Sequence, residues 1–203
     1  MTSLNNSAKI LLFILLLAVS CKVNEKIPIK NAIKAEEMKQ TSKDITIAFA
    51  GDVMLGRLVN EYVILGNKPS TYVWGDFIDS LKKADLTIIN LENAIAKSGK
   101  EWSKTPKVFF YRADPKAIEV LKAAHIDYVT LANNHVLDYD EEAFIETLEH
   151  LEKNKIPYAG AGKNISEAEK PAFLEAKGIK IAVIAFTDNM PEWEATENKP
   201  GVN

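Results

Sequence analysis

Apolar runs ended by polar residues recur along this chain, alternating with stretches whose apolar residues return at helical spacing. "DITIAFAGD" from Asp44, "ADLTIINLEN" from Ala84, "IDYVTLANNH" from Ile126 and "IKIAVIAFTDN" from Ile179 each read as a short, buried-type strand whose carboxyl end delivers polar side chains. Between them, Trp74, Phe77, Ile78 and Leu81 predict one helix, and Ile118, Leu121 and Ala124 or Ala117 a second, with Asp114 as its cap and Pro115 in its first turn. Phe144, Leu148 and Leu151 predict a third helix, whose acidic start, Asp140 to Glu142, suits the positive end of the helix dipole. Strands alternating with helices predict an α/β fold: a mainly parallel sheet covered on both faces.

The first forty-three residues have a different texture. "KILLFILLLAVSC" reads as a secretory signal over residues 1–20, ending in a lipobox-like Ala18-Val19-Ser20-Cys21. Ile10 to Ser20 is eleven residues, short of the roughly 17–25 that a membrane-spanning helix needs, so lipid attachment at Cys21 is preferred to a retained anchor. Residues 21–43, rich in Lys, Glu, Asn and Ser, read as a flexible tether, leaving 44–203 as the folded domain. Cys21 is the single cysteine, so a disulfide within the chain is excluded. A net charge of −3 argues against nucleic acid as a partner.

In parallel α/β sheets ligands bind at the carboxyl ends of the strands. Asp52, Glu92 and the run Asn133-Asn134-His135 all follow predicted strands, at spacings that each fit one strand-helix-strand crossover. Carboxylate, amide and imidazole donors together suit Mn, Fe, Zn or Mg, ions that support metal-assisted hydrolysis. Each tip also has a plainer reading. Asp52 fits a turn or cap, Glu92 a solvated loop acid, and the polar triplet a satisfied hydrogen-bond network. His125 and His150 fall at ordinary helix positions, and Gly160 and Gly162 in "YAGAGKN" read as a tight turn. Walker loops, G-x-S-x-G elbows and paired cysteines are missing, which sets aside nucleotide kinases, serine hydrolases of that type and thiol redox enzymes.

"AGDVMLGR" from Ala50, "NLENAI" from Asn90, "VTLANNHVLDYD" from Val129 and "GAGKNISEAEKP" from Gly160 together resemble, in that order, the CapA family of poly-gamma-glutamate capsule synthesis proteins. The resemblance implies a calcineurin-like metallophosphoesterase fold, a four-layer α/β sandwich with a two-metal site, of which this chain carries the N-terminal half. It implies Asp52, Glu92 and Asn134 as metal ligands and His135 as proton donor to the leaving group. Arg57 and Asn133 are implied as substrate contacts. The implied partners are an anionic polymer or a capsule synthase complex, with lipidated Cys21 anchoring the protein in the cell envelope. Asp140 stands where the family commonly has glycine, and the histidines expected to complete the metal site have no counterpart before Asn203. The expectation is therefore a hydrolase site that this chain alone leaves inactive. The alternative is a non-catalytic surface lipoprotein that scaffolds the polymer or its synthase. A solute-binding lipoprotein would share the signal and the α/β texture but gives no reason for the ordered motifs.

Overall fold

The computed structural model describes residues 44–203; the signal-like segment, Cys21 and the tether lie outside the described residues. The strands are β1 (Ile47–Val53), β2 (Leu86–Leu91), β3 (Ala94–Ile95), β4 (Arg112–Ala113), β5 (Tyr128–Thr130), β6 (Tyr158–Ala159), β7 (Ala161–Gly162), β8 (Ala172–Ala176), β9 (Ile179–Val183) and β10 (Gly201–Val202). The α-helical segments are α1 (Arg57–Val59), α2 (Ile78–Lys83), α3 (Ala117–Ala123), α4 (Asp140–Lys153) and α5 (Ile165–Ala168). Among the described residues no helix is long and apolar enough to cross a membrane.

The central sheet runs β1-β2-β5-β6 and is parallel throughout. Its alternating side chains build two cores. Ile89, Leu91 and Val129 pack with Leu81 of α2, Ile118 and Leu121 of α3, and Phe144, Leu148 and Leu151 of α4. Leu86, Tyr128 and Ala159 pack instead with Ala172, Leu174 and Ala176 of β8. Full burial of a side chain such as Phe144 or Leu148 contributes roughly 1.5–3 kcal/mol, so α4 is held chiefly by its apolar stripe.

This α/β arrangement is that of part of a calcineurin-like sandwich, with three local departures from the sequence reading. First, "IKIAVIAFTDN" does not join the parallel sheet. β9 pairs antiparallel with β8 through a two-residue link, Lys177 (φ 51) and Gly178 (φ 81), and the hairpin covers the sheet face opposite the helices. Two successive positive φ values mark the hairpin turn whose twist matches its strands. Second, the helix expected from Trp74 breaks at Gly75 (φ 50, ψ −138), leaving a 3-10 turn over Tyr72–Phe77 before α2 begins. Third, β1 is more exposed than a buried-type strand. It lies at the sheet edge, and Phe49 on it is 74% exposed.

The predicted capping acid Asp114 accepts the Lys116 N–H at 2.9 Å ahead of α3. Asp140 opens α4 at φ 62, the left-handed region that glycine enters freely, which explains why glycine suits this position. Its carboxylate offsets the strain by accepting the Glu141 N–H at 2.9 Å and pairing with Lys104 at 3.0 Å. Asp140→Gly is accordingly expected to change stability by less than about 1 kcal/mol, whereas Asp140→Val should cost about 2 kcal/mol or more, as read by urea denaturation.

Glu146 on α4 clamps the loop after β3, accepting the Lys97 N–H at 3.0 Å, the Ser98 N–H at 2.9 Å and the Ser98 hydroxyl at 2.5 Å. Burial pushes this carboxyl up, but the Ser98 hydroxyl, the two backbone N–H groups and His150 together outweigh it and bring it to about 2. Because the folded value lies below the unfolded one, the contribution is full above about pH 4.5 and is lost as pH falls toward about 2, an amount of about 1–2 kcal/mol once solvent screening of this partly exposed carboxylate is counted. Glu146→Gln is expected to lose about 1–2 kcal/mol at pH 7, and the gap to wild type should close in urea titrations carried toward pH 2.

Candidate functional site

Three strand ends meet at one rim. In β1 the register shifts between Phe49 and Asp52, so that Ala50 and Gly51 stand opposite Ile89 alone, a bulge that re-aims the side chains after it. Asp52 then falls beside Asn90 of β2, and Asn90 beside Thr130 of β5. Glu92, two residues beyond Asn90, emerges on the same side because strand side chains alternate.

The Asn90 amide N–H2 donates to Asp52 Oδ1 at 2.8 Å and makes a short hydrogen bond to Glu92 Oε2. Two carboxylates are thereby drawn to a single amide. Burial first, and the neighbouring Asp52 charge second, raise the Glu92 carboxyl above its ordinary range, against the opposing pull of His135 and Asn90. On its outer side Asp52 borders an open cleft of about 520 Å³ lined by Phe49, Val53, Val59, Val73, Trp74 and Phe77, so the rim is accessible from the β1 edge.

The polar triplet after β5 divides into separate tasks. Asn133 Oδ1 accepts the His135 and Val136 N–H groups at 2.9 and 3.0 Å, and its Nδ2 donates to Asn90 Oδ1 and the Leu91 carbonyl, both at 2.9 Å. All four bonding positions of that amide are used. Asn133, expected as a substrate contact, therefore anchors the turn and has no free group to offer. The Asn134 carbonyl accepts from Lys107 at 2.5 Å, while its side-chain amide makes no hydrogen bond among the described residues and is available. His135 Nδ1 lies 2.6 Å from Asp138 Oδ2, and its Nε2 lies 3.9 Å from Glu92 Oε1.

The sequence reading passed over the residues that hold His135. Asp138 is fully buried, accepts the Tyr111 N–H at 2.7 Å and lies 3.2 Å from the Lys107 ammonium, which is itself only 8% exposed. The Tyr111 ring stacks on the imidazole at 4.0 Å, 22° from parallel. Phe109 stacks on Tyr111 in turn, and the Arg57 guanidinium sits 5.5 Å from the Phe109 ring centre. An aromatic run thus links Arg57 to the imidazole, and Arg57 itself is held at a positive φ of 50. Asp138 was detectable as an acid three residues after His135; Lys107 and Tyr111, in a stretch without periodicity, carried no comparable signal. Gly160 (φ 83) supports the rim from behind: a Cβ there would come within 2.6 Å of that of Ala132.

Among the described residues no three His, Cys, Asp or Glu side chains converge closely enough to hold a metal ion by themselves. The donors that do converge, the Asp52 and Glu92 carboxylates on Asn90 and the His135 imidazole 3.9 Å from Glu92, fit part of the shell of a hard or borderline divalent ion.

Residues 46–203 match the family model described as bacterial capsule synthesis protein PGA_cap. The chain belongs to that family. Among curated PGA_cap-like relatives, it is 27% identical over 162 residues to the capsule biosynthesis protein CapA of Bacillus anthracis, a match spanning 79% of this chain and 39% of the relative. It is 29% identical over 174 residues to the PGA biosynthesis protein CapA of Bacillus subtilis, spanning 83% and 45%. A probable polyglutamine synthesis accessory protein of Mycobacterium tuberculosis is 28% identical over 194 residues, spanning 78% and 50%. The chain therefore spans half or less of the length of these relatives.

Proposed function

We propose that this PGA_cap chain carries one side of a divalent-cation site for metal-assisted hydrolysis, serving capsule or poly-gamma-glutamate synthesis or export. The observation that carries the reading is the convergence of Asp52 and Glu92 on one amide, with burial and mutual charge disfavouring ionisation of Glu92. Such a pair is costly as it stands and is relieved by a cation.

Asp52, Glu92 and Asn134 would hold the ion. When bound, a divalent cation supplies Lewis acidity where a phosphoester or other polar bond gathers negative charge as it breaks. His135 is arranged to move a proton: Asp138 takes the Nδ1 side, and Nε2 is left facing the Glu92 side of the rim. Tyr111, stacked flat on the imidazole, restrains its plane. Arg57 is placed to meet an anionic group on the substrate or the polymer. The names of the relatives support the pathway, and the signal-like N-terminus supports attachment to the envelope through lipidated Cys21, beside a synthase complex.

Elemental analysis of the purified chain tests the reading. Stoichiometric Mn, Fe, Zn or Mg that is lost in Asp52→Ala is the expected result. A folded, monodisperse protein that takes up no divalent ion would overturn it in favour of a polymer- or synthase-binding scaffold.

A further inference from the structure

The Asn90 amide cannot choose its orientation freely. The His135 and Val136 N–H groups can only donate, so they fix the oxygen of Asn133 toward themselves and its Nδ2 toward Asn90. A donor facing Asn90 in turn fixes the Asn90 oxygen on that side and points its N–H2 at the two acids. The chain of constraint starts at backbone groups of the turn after β5 and ends at the carboxylates of β1 and β2. Reversing the Asn90 amide would place its N–H2 against that of Asn133 and leave two carboxylates facing an oxygen.

We propose that Asn90 is a positioning residue of the cation site. It donates to one oxygen of Asp52 and one oxygen of Glu92, so that Asp52 Oδ2 and Glu92 Oε1 are the oxygens a cation would take. The inference rests on the reading of the rim as a cation site and adds that each acid binds through a single oxygen. It also gives Asn133 a purpose: saturated within the fold, it transmits the rigidity of the turn to the acids. Asn90 is thus a donor to the ligands and is not itself a ligand.

Calorimetric titration of the purified chain with Zn²⁺ and Mn²⁺, in wild type, Asn90→Ala and Asp52→Ala, tests the proposal together with NMR of the Asn90 side-chain amide during Zn²⁺ titration. Loss of an orienting partner of this kind costs about 10–100-fold in metal affinity, so Asn90→Ala is expected to bind at least about tenfold more weakly while Asp52→Ala does not bind. In wild type, the Asn90 N–H2 resonances should shift on saturation and stay protected from solvent exchange, because both hydrogen bonds persist. Unaltered affinity in Asn90→Ala, or loss of protection as Zn²⁺ binds, would overturn the positioning role and leave the cation site standing. Wild type that binds neither ion would overturn both. The NMR arm needs no variant, so the test holds even where Asn90→Ala fails to fold.

Discussion

Asp138→Ala is expected to destabilise the protein by about 3–5 kcal/mol, the cost typical of removing one partner from a buried ion pair. The carboxylate is fully buried and serves three groups at once: the Lys107 ammonium at 3.2 Å, the Tyr111 N–H at 2.7 Å and His135 Nδ1 at 2.6 Å. Lys107 would keep the Asn134 carbonyl but lose its charge partner in a site it cannot leave without opening the loop. Asp138→Asn keeps the shape and an acceptor while removing the charge, and should cost less, about 1–3 kcal/mol. Urea denaturation at pH 7 separates the two variants. A loss below about 1 kcal/mol for alanine would show that water or the Asn134 carbonyl satisfies Lys107 unaided. Because Asp138 also holds His135, the alanine variant should free the imidazole ring, seen as exchange broadening of its NMR signals, while asparagine keeps an acceptor for Nδ1.

Glu92→Gln is expected to act in the opposite sense on stability while abolishing stoichiometric cation binding. Burial and the Asp52 charge raise the folded-state value of Glu92 above its unfolded one. A carboxyl raised in this way favours the folded state below its unfolded value, and that advantage is lost as pH rises through the folded value. At pH 7 the ionised group is therefore a cost, and a neutral amide of the same length removes it. In cation-free protein the gain should be on the order of 1 kcal/mol, a rise of about 2–4 °C in melting temperature for a chain of this size. The difference should vanish below about pH 4, where Glu92 is also neutral. Thermal melts at several pH values, paired with elemental analysis, check both halves. A variant that is less stable at pH 7 would show that the Asn90 hydrogen bond outweighs the charge repulsion.

The α/β class, the order of strands and helices and the tips carrying Asp52, Glu92 and His135 were legible because each arises from short-range pattern. Phe144, Leu148 and Leu151 mark their buried stripe at helical spacing, and β2 is a short, mostly buried apolar run, as a central parallel strand should be. Legibility ended where pattern is ambiguous. An apolar run such as Ile179–Val183 looks the same whether its partner is parallel or antiparallel, and only the Lys177-Gly178 turn folds it back on β8. Trp74 to Leu81 has helical spacing, yet Gly75 costs more to keep helical than the pattern returns.

The sequence by itself determined which side chains reach the rim, since a strand of given register and direction carries its terminal residues to a fixed place. The tasks of those side chains were decided by tertiary structure. Asn133 and Asn134 are indistinguishable as letters, but the backbone N–H groups of the turn saturate the first and leave the amide of the second free. Asn90 looked like a strand residue until the β1 bulge set Asp52 beside it. The support of His135 comes from Lys107 and Tyr111, distant in sequence and without periodicity, because burying Asp138 requires a charge and a donor from whichever segment packs nearest. Hydrogen-bond saturation and charge compensation are properties of neighbours in space, and the folded contacts alone assign them.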